Sequence, residues 1–184
     1  MKKTGKLIII TGPSGVGKGT LVQQLTTRNN NFFVSTSATT RQPREGEKHG
    51  REYYFLSVNE FQNMIDNSDF LEWAEYAGNF YGTPKQPVME QIAQGKNVIL
   101  EIEVEGAGQV KNNFSEALSI FILPPSLTEL ERRLRGRGND KEEAIIKRLA
   151  KAKEEINAVD EFDYQVTNDQ LEVTIAKLEE IISR

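Results

Sequence analysis

One stretch, GPSGVGKGT from Gly12 to Thr20, limits what this chain can fold into more than any other. It follows LIIIT, an apolar, β-branched run that reads as a buried parallel strand. It precedes LVQQL, where Leu21, Val22 and Leu25 recur at helical spacing. A strand, a glycine-rich turn and a helix are the setting in which a GxxxxGK pattern holds phosphate. Glycines here leave room for a ligand, so that the loop N–H groups converge on phosphate oxygens at the positive end of a helix. Lys18 is placed to reach the β- and γ-phosphates. The whole run Gly12, Pro13, Ser14, Gly15, Val16, Gly17, Lys18, Gly19 and Thr20 is therefore a candidate nucleotide-phosphate site. Gly19 stands where such loops usually carry a hydroxyl for Mg²⁺, and Thr20 follows it. A direct hydroxyl–metal bond is not assigned; Mg²⁺ would come with the nucleotide, held through Thr20 or water.

A chain of 184 residues with 38% apolar content suits one domain with its own core. No apolar run approaches membrane-spanning length, and the short apolar part of MKKTGKLIIIT leads into a glycine loop rather than a cleavage site. With no cysteine there is no disulfide framework. A cytoplasmic protein is expected, with no membrane partner. The net charge of −4 argues against a general nucleic-acid binder. Basic residues nevertheless gather at Arg41, Arg44 and Arg51, and from Arg132 to Arg137, which suggests small anionic ligands.

Along the chain, strands are expected at Lys6–Thr11, Phe32–Val34, Tyr53–Leu56, Phe70–Tyr76, Asn97–Ile102, Leu118–Leu123 and Tyr164–Val166, with a hairpin turn at Gly78-Asn79. Helices are expected at Lys18–Arg28, after a capping box at Ser57–Glu60, at Pro84–Gln94, after a second capping box at Ser126–Glu129, at Lys141–Val159, and after a cap at Asn168/Asp169. Apolar strands alternating with helices predict an α/β fold, a central parallel sheet covered by helices on both faces. Residues 35–95 break the alternation as a small mixed insertion. Ligands in such folds lie beyond the carboxyl ends of the strands, which gathers the loop, Glu101, Glu103 and both arginine clusters on one side.

Ser37, Arg41, Arg44 and Tyr53 form a second anion site, because guanidinium forks and a phenol grip a terminal phosphate by charge-assisted bonds. Glu72 lies in FLEWAEY, and Tyr81 and Thr83 in NFYGTP. A carboxylate accepts two parallel donors, which the guanine N1–H and N2–H₂ edge presents and adenine does not, while Glu72 taken alone reads more readily as a solvated strand carboxylate. The one histidine, His49, reads as solvated.

GPSGVGKGT, SATTRQPREGE, REYYF, FLEWAEYAGNFYGTP, LEIEVEGA, PPS and RRLRGRG, in this order, resemble guanylate kinase over nearly the whole chain. The resemblance implies a P-loop kinase fold with a core at 1–34, 96–125 and 150–184, a GMP-binding part at 35–95 and an arginine-rich lid at 126–149. It implies that Ser37, Glu72 and Thr83 contact guanine. It implies that Arg41, Arg44, Tyr53 and Tyr81 hold the GMP phosphate, and that Arg133, Arg137 and Arg148 fold over the ATP phosphates. Asn168 would lie near adenine. Glu101 and Glu103 replace the aspartates more common in the family, and share a metal-bound water or a guanine contact without an assignment between them. The partners implied are ATP with Mg²⁺ and GMP; use of dGMP is left open, as is the oligomeric state between monomer and homodimer.

The reaction implied is ATP plus GMP giving ADP and GDP, with Lys18, Arg41, Arg133, Arg137 and Arg148 as the catalytic cations. Two rivals stand beside it. One is a non-catalytic guanylate-kinase-like module that binds peptides, which the retained lysine and arginines disfavour. The other is a different nucleoside monophosphate kinase, which TTRQPREGE and FLEWAEY disfavour.

Overall fold

The computed structural model describes residues 4–136 and 141–184. A five-stranded parallel sheet forms the centre, from β1 (Leu7–Thr11), β2 (Phe32–Val34), β7 (Asn97–Glu101), β8 (Leu118–Leu123) and β9 (Tyr164–Thr167), in the order β2-β7-β1-β8-β9. The apolar alternation sends side chains to two cores. Ile8, Ile10, Ile99, Ile120 and Ile122 join one cluster; Leu7, Ile9, Val98, Leu100 and Phe121 join the other. A sheet buried on both faces needs uninterrupted apolar strands, which accounts for LIIIT, NVILE and LSIFIL.

Helices cover both faces. α1 (Lys18–Arg28) follows β1 and buries Leu21, Val22 and Leu25. α7 (Leu171–Ser183) packs beside it through Ile175, Leu178 and Ile182. α5 (Leu127–Gly136) and α6 (Glu142–Ile156) add Leu130, Leu134 and Ile145 to the same core. α3 (Lys85–Ala93) and α4 (Val104–Asn113) cover the other face through Val88, Ala107 and Val110. The chain steps from β1 outward to β2 and later crosses to β8, so the strand order reverses at β1. Its carboxyl end is the place where such sheets bind ligands.

A second sheet, in the order β4-β3-β6-β5, is built from β3 (Ala38–Thr39), β4 (Tyr54–Phe55), β5 (Phe70–Tyr76) and β6 (Asn79–Pro84). It has its own small core, Ala38, Phe61 and Phe70, with Phe61 and Phe70 stacked at 4.3 Å and α2 (Val58–Asp66) alongside. The capping box at Ser57 and Glu60 is present as the sequence predicts.

Several expectations need correction. The second capping box is half-formed. Ser126 Oγ accepts the Glu129 N–H, while the Glu129 carboxylate bonds Arg132 and Arg133 instead of closing the box. α7 is capped by neither Asn168 nor Asp169: Gln170 holds the N-cap position without a side-chain bond, and Asn168 is turned into the phosphate loop. α4 and β3 stand where the sequence reading placed no element. His49 is exposed, yet its Nδ1 accepts the Phe55 N–H at 3.1 Å and its ring meets the edge of Tyr54, so it ties down its own loop.

Candidate functional site

Three groups of side chains gather along the carboxyl ends of the central strands and on the second sheet. The first is the loop after β1. Gly12 and Gly17 have φ of 142° and 102°, a region that L side chains avoid. A Cβ on Gly12 would lie 2.3 Å from the Ile122 carbonyl oxygen, and one on Gly17 would lie 2.6 Å from Asn168 Nδ2. The loop is therefore held by its neighbours on both sides. Asn168 Nδ2 donates to the Val16 carbonyl at 2.8 Å, and Arg133 Nη1 reaches the same oxygen at 3.2 Å. Arg133 Nη2 also donates to the Asn168 carbonyl at 3.0 Å, with Glu129 bracing its Nε at 2.9 Å. Asn168 and Arg133, two residues proposed from sequence for the ATP side, thus meet at the loop backbone.

Ser14, Gly15, Gly17, Lys18, Gly19, Thr20, Glu101 and Glu103 line one cavity of about 330 Å³. Lys18 Nζ donates to the Gly12 and Pro13 carbonyls. Burial lowers the Lys18 pKa, and the negative charges of Glu103, Glu101 and Glu155 push it back up. Glu101 is shifted upward, first by burial, with Lys18 opposing and Glu103 adding to the shift. Glu103 is ion-paired at 3.0 Å with Lys151 of α6. Lys151 also approaches Glu155 at 3.5 Å. Sequence reasoning missed Lys151 and Glu155, because nothing in a polar helix pattern marks which lysine crosses to another element. A Cβ on Gly19 would make ordinary contacts, 3.6 and 3.9 Å from the Glu101 carboxylate oxygens. The residue without a hydroxyl faces an acid directly.

The second group lies across three strands of the small sheet. Glu72 pairs with Thr83 between β5 and β6, and Ala38 pairs with Gly82 between β3 and β6. Ser37 immediately precedes β3, where its carbonyl accepts the Tyr54 N–H at 2.8 Å. Glu72 is 9% exposed, and its Oε1 accepts the Thr83 hydroxyl at 2.6 Å. Burial raises its pKa, with the Thr83 bonds acting the other way. A charged carboxylate at such a site needs partners, and one hydroxyl leaves acceptor capacity unused. The floor beneath it is α4: a Cβ on Gly106 would lie 2.8 Å from Glu72 Oε2. Gly106→Ala should favour the helix by propensity, by about 0.5–1 kcal/mol, while pushing the flexible end of Glu72 out of its seat. Its melting temperature should be unchanged or higher, with the apparent affinity for the Glu72 ligand down about tenfold in steady-state kinetics.

The third group surrounds Arg41. Its guanidinium pairs with both oxygens of Glu47 at 3.0 Å, lies 5.4 Å from the Tyr53 ring centre and 5.7 Å from that of Phe55, and Tyr53 meets Tyr81 edge to face at 6.1 Å. The Glu47 bonds raise the Arg41 pKa above its already high value and hold the fork in one plane. Glu47 also accepts the Arg44 N–H at 2.7 Å, while Arg44 itself is exposed. Glu47 is a further residue that sequence reasoning did not single out. Arg148 lies half-buried on α6. Arg137 lies outside the described residues. The structure brings together Arg41, Tyr53 and Tyr81, then Glu72 and Thr83, with Ser37 next to β3 of the same sheet, and then the loop with Glu101 and Glu103.

Among the described residues no helix is long and apolar enough to cross a membrane. A family model described as guanylate kinase matches residues 4–184. A guanylate kinase of Synechocystis sp. is 62% identical over 97% of this chain and 93% of its own length. One of Trichodesmium erythraeum is 56% identical over 98% and 97%. Among solved structures, guanylate kinase from Anaplasma phagocytophilum is 33% identical, superposes with a TM-score of 0.75 and is covered over 86% of its length by 99% of this chain. With a phosphate loop, a buried carboxylate and a tyrosine-backed arginine on one scaffold, and with these matches spanning nearly its full length, the chain belongs to the guanylate kinase family.

Proposed function

We propose that the protein transfers the γ-phosphoryl group of ATP to GMP, giving ADP and GDP. The observation that carries this reading is the buried Glu72 carboxylate bonded to Thr83, on a sheet that also carries Tyr81 and whose loop after β3 brings Arg41 and Tyr53 together. Such an arrangement offers one end for a purine donor edge and another for a phosphate.

The Gly12–Thr20 loop would bind the ATP phosphates through its N–H groups, with Lys18 exchanging loop carbonyls for β- and γ-oxygens. Asn168 and Arg133 would fix the loop, with Asn168 on the adenine side. Arg41 and Arg44 with Tyr53 and Tyr81 would hold the GMP phosphate, while Glu72, Thr83 and Ser37 read guanine. Arg133, Arg137 and Arg148 would add positive charge over the transferring group. The acceptor needs no general base: a phosphate monoester with a second pKa of about 6 is mostly dianionic at neutral pH. The task is to bring two anions together and stabilise the charge of a loose transition state.

Among the described residues no three His, Asp or Glu side chains converge as a metal cage. Glu101, Glu103 and Thr20 offer only hard oxygen atoms around the loop cavity. That set fits Mg²⁺, which keeps much of its water and enters with substrate phosphates. Mg²⁺ would neutralise β- and γ-phosphate oxygens. Glu101 and Glu103 would position its water shell, and Lys151 would hold Glu103 in place.

The test is a coupled assay of ADP formation across nucleoside monophosphates. GMP should be the preferred acceptor, with AMP, CMP and UMP lower by at least about 10³-fold in kcat/KM, since a buried carboxylate left without donors is penalised. Equal rates with AMP would overturn the reading, and no turnover with any acceptor would favour a binding module.

A further inference from the structure

β5 is an outer strand of the four-stranded sheet, and its free edge faces α4. An outer strand presents backbone groups without a neighbouring strand to pair them. At Trp73 one side chain takes both. Gln109 Nε2 donates to the Trp73 carbonyl at 2.9 Å, and Gln109 Oε1 accepts the Trp73 N–H at 3.1 Å. A carboxamide carries one donor side and one acceptor side in a plane, so it closes this edge as another strand would.

The place of this clasp is informative. Trp73 follows Glu72, and the β5–β6 register shifts between Phe70 and Glu72. The irregularity therefore falls immediately before the buried carboxylate. In a strand a slip of one residue turns every side chain to the opposite face. Gln109 is three residues after Gly106 on α4, so both lie on one helix face. Gly106 seats the Glu72 carboxylate, and Gln109 seats the next backbone unit. Ala107 and Val110 of the same helix are fully buried in the core. The anchor thus belongs to the rigid part of the molecule.

We propose that Gln109 is a positioning residue for nucleobase selection. By bonding both backbone groups of Trp73 to α4, it locks β5 in the register that presents Glu72 over Gly106 and opposite Thr83. The inference rests on Glu72 being the group that reads the guanine edge. Gln109 touches no substrate in this scheme; it sets the depth and angle of the carboxylate that does.

The test compares GMP with IMP, a purine nucleotide lacking the 2-amino donor, in the parent, Gln109→Met, Glu72→Gln and the double variant. Methionine keeps the length and bulk of glutamine and removes both hydrogen bonds. Gln109→Met should raise the KM for GMP about tenfold and cut the GMP-over-IMP ratio of kcat/KM by a similar factor, with KM for ATP within about twofold. The ratio cancels the fraction of active protein, so a purely structural loss, which lowers melting temperature and kcat, would leave it unmoved. If Gln109→Met is poorly soluble, Gln109→Ala gives the same comparison. The double variant should discriminate no worse than Glu72→Gln alone, since the two act through one contact. A parental ratio in Gln109→Met beside a collapsed ratio in Glu72→Gln would overturn the proposal and leave the role of Glu72 standing. A parental ratio in Glu72→Gln would overturn both.

Discussion

Lys18→Ala should lower turnover at saturating ATP and GMP by at least about 10³-fold, since charge placed on a transferring phosphoryl group is worth 10³–10⁵ in comparable chemistry. The geometry makes the loss larger than that of one missing cation. Glu101 and Glu103 line the same cavity as Lys18, and their charges act directly on it. Without the lysine, those acids would face the incoming phosphates with less positive charge between them. Burial lowers the Lys18 pKa, so removing the side chain also relieves a desolvation cost. The fold should therefore tolerate the change, with a melting temperature near that of the parent.

GMP binding is the control. The groups assigned to GMP lie on the second sheet and its loop, and Trp73, the single tryptophan, sits beside Glu72. Its fluorescence should titrate with GMP in Lys18→Ala with a Kd within about threefold of the parent, because no contact to the Glu72 site is removed. Loss of GMP binding together with turnover would mean that the variant has unfolded the site. Retained turnover would remove Lys18 from the phosphate-transfer step.

What the sequence made legible was local. The loop after β1, the three buried strands and the β5–β6 hairpin are each written in a few consecutive residues, through glycine, β-branched runs and a turn. α4 was missed because VEGAGQVKNN carries two glycines, which weaken helix propensity. The Val104, Ala107, Val110 spacing that buries it was outweighed. β3 is two residues long, too short for any periodicity to register. Glu47, Lys151 and Gln109 were missed for other reasons. Lys151 and Gln109 each bond another segment, and a sequence names one partner without the other; Glu47 bonds Arg41 and Arg44 inside a polar loop, where no periodicity marks it. Asn168 shows the converse. Beside Asp169 before an apolar helix it has the pattern of a cap, but Val16, 152 residues away in the chain, offers a buried carbonyl that takes its amide. A buried carbonyl left unpaired costs more than an exposed helix end, which water can serve.

Glu72→Gln should raise the KM for GMP about 10²-fold and change that for ATP by no more than about threefold. Two charge-assisted bonds from N1–H and N2–H₂ are at stake, each worth about 1.5–3 kcal/mol. The glutamine amide would also set a donor against a donor. Stability should move the other way. Burial raises the Glu72 pKa above that of the unfolded chain, so the folded protein without ligand binds this proton more tightly. The ionised group then costs stability as pH rises through its raised pKa, and the cost is relieved below it. Glu72→Gln should accordingly melt at or above the parental temperature at neutral pH, with the gap closing in acid. Activity carries the opposite sign. The guanine donors require the ionised carboxylate, so GMP affinity should fall as pH drops through the same step. The GMP phosphate titrates as well, but it does so equally in both proteins. The ratio of parental to Glu72→Gln kcat/KM for GMP isolates the carboxylate, and it should shrink toward acid. A ratio flat with pH, or equal losses for GMP and ATP, would make Glu72 a structural acid held by Thr83 and leave the guanine edge to be read elsewhere.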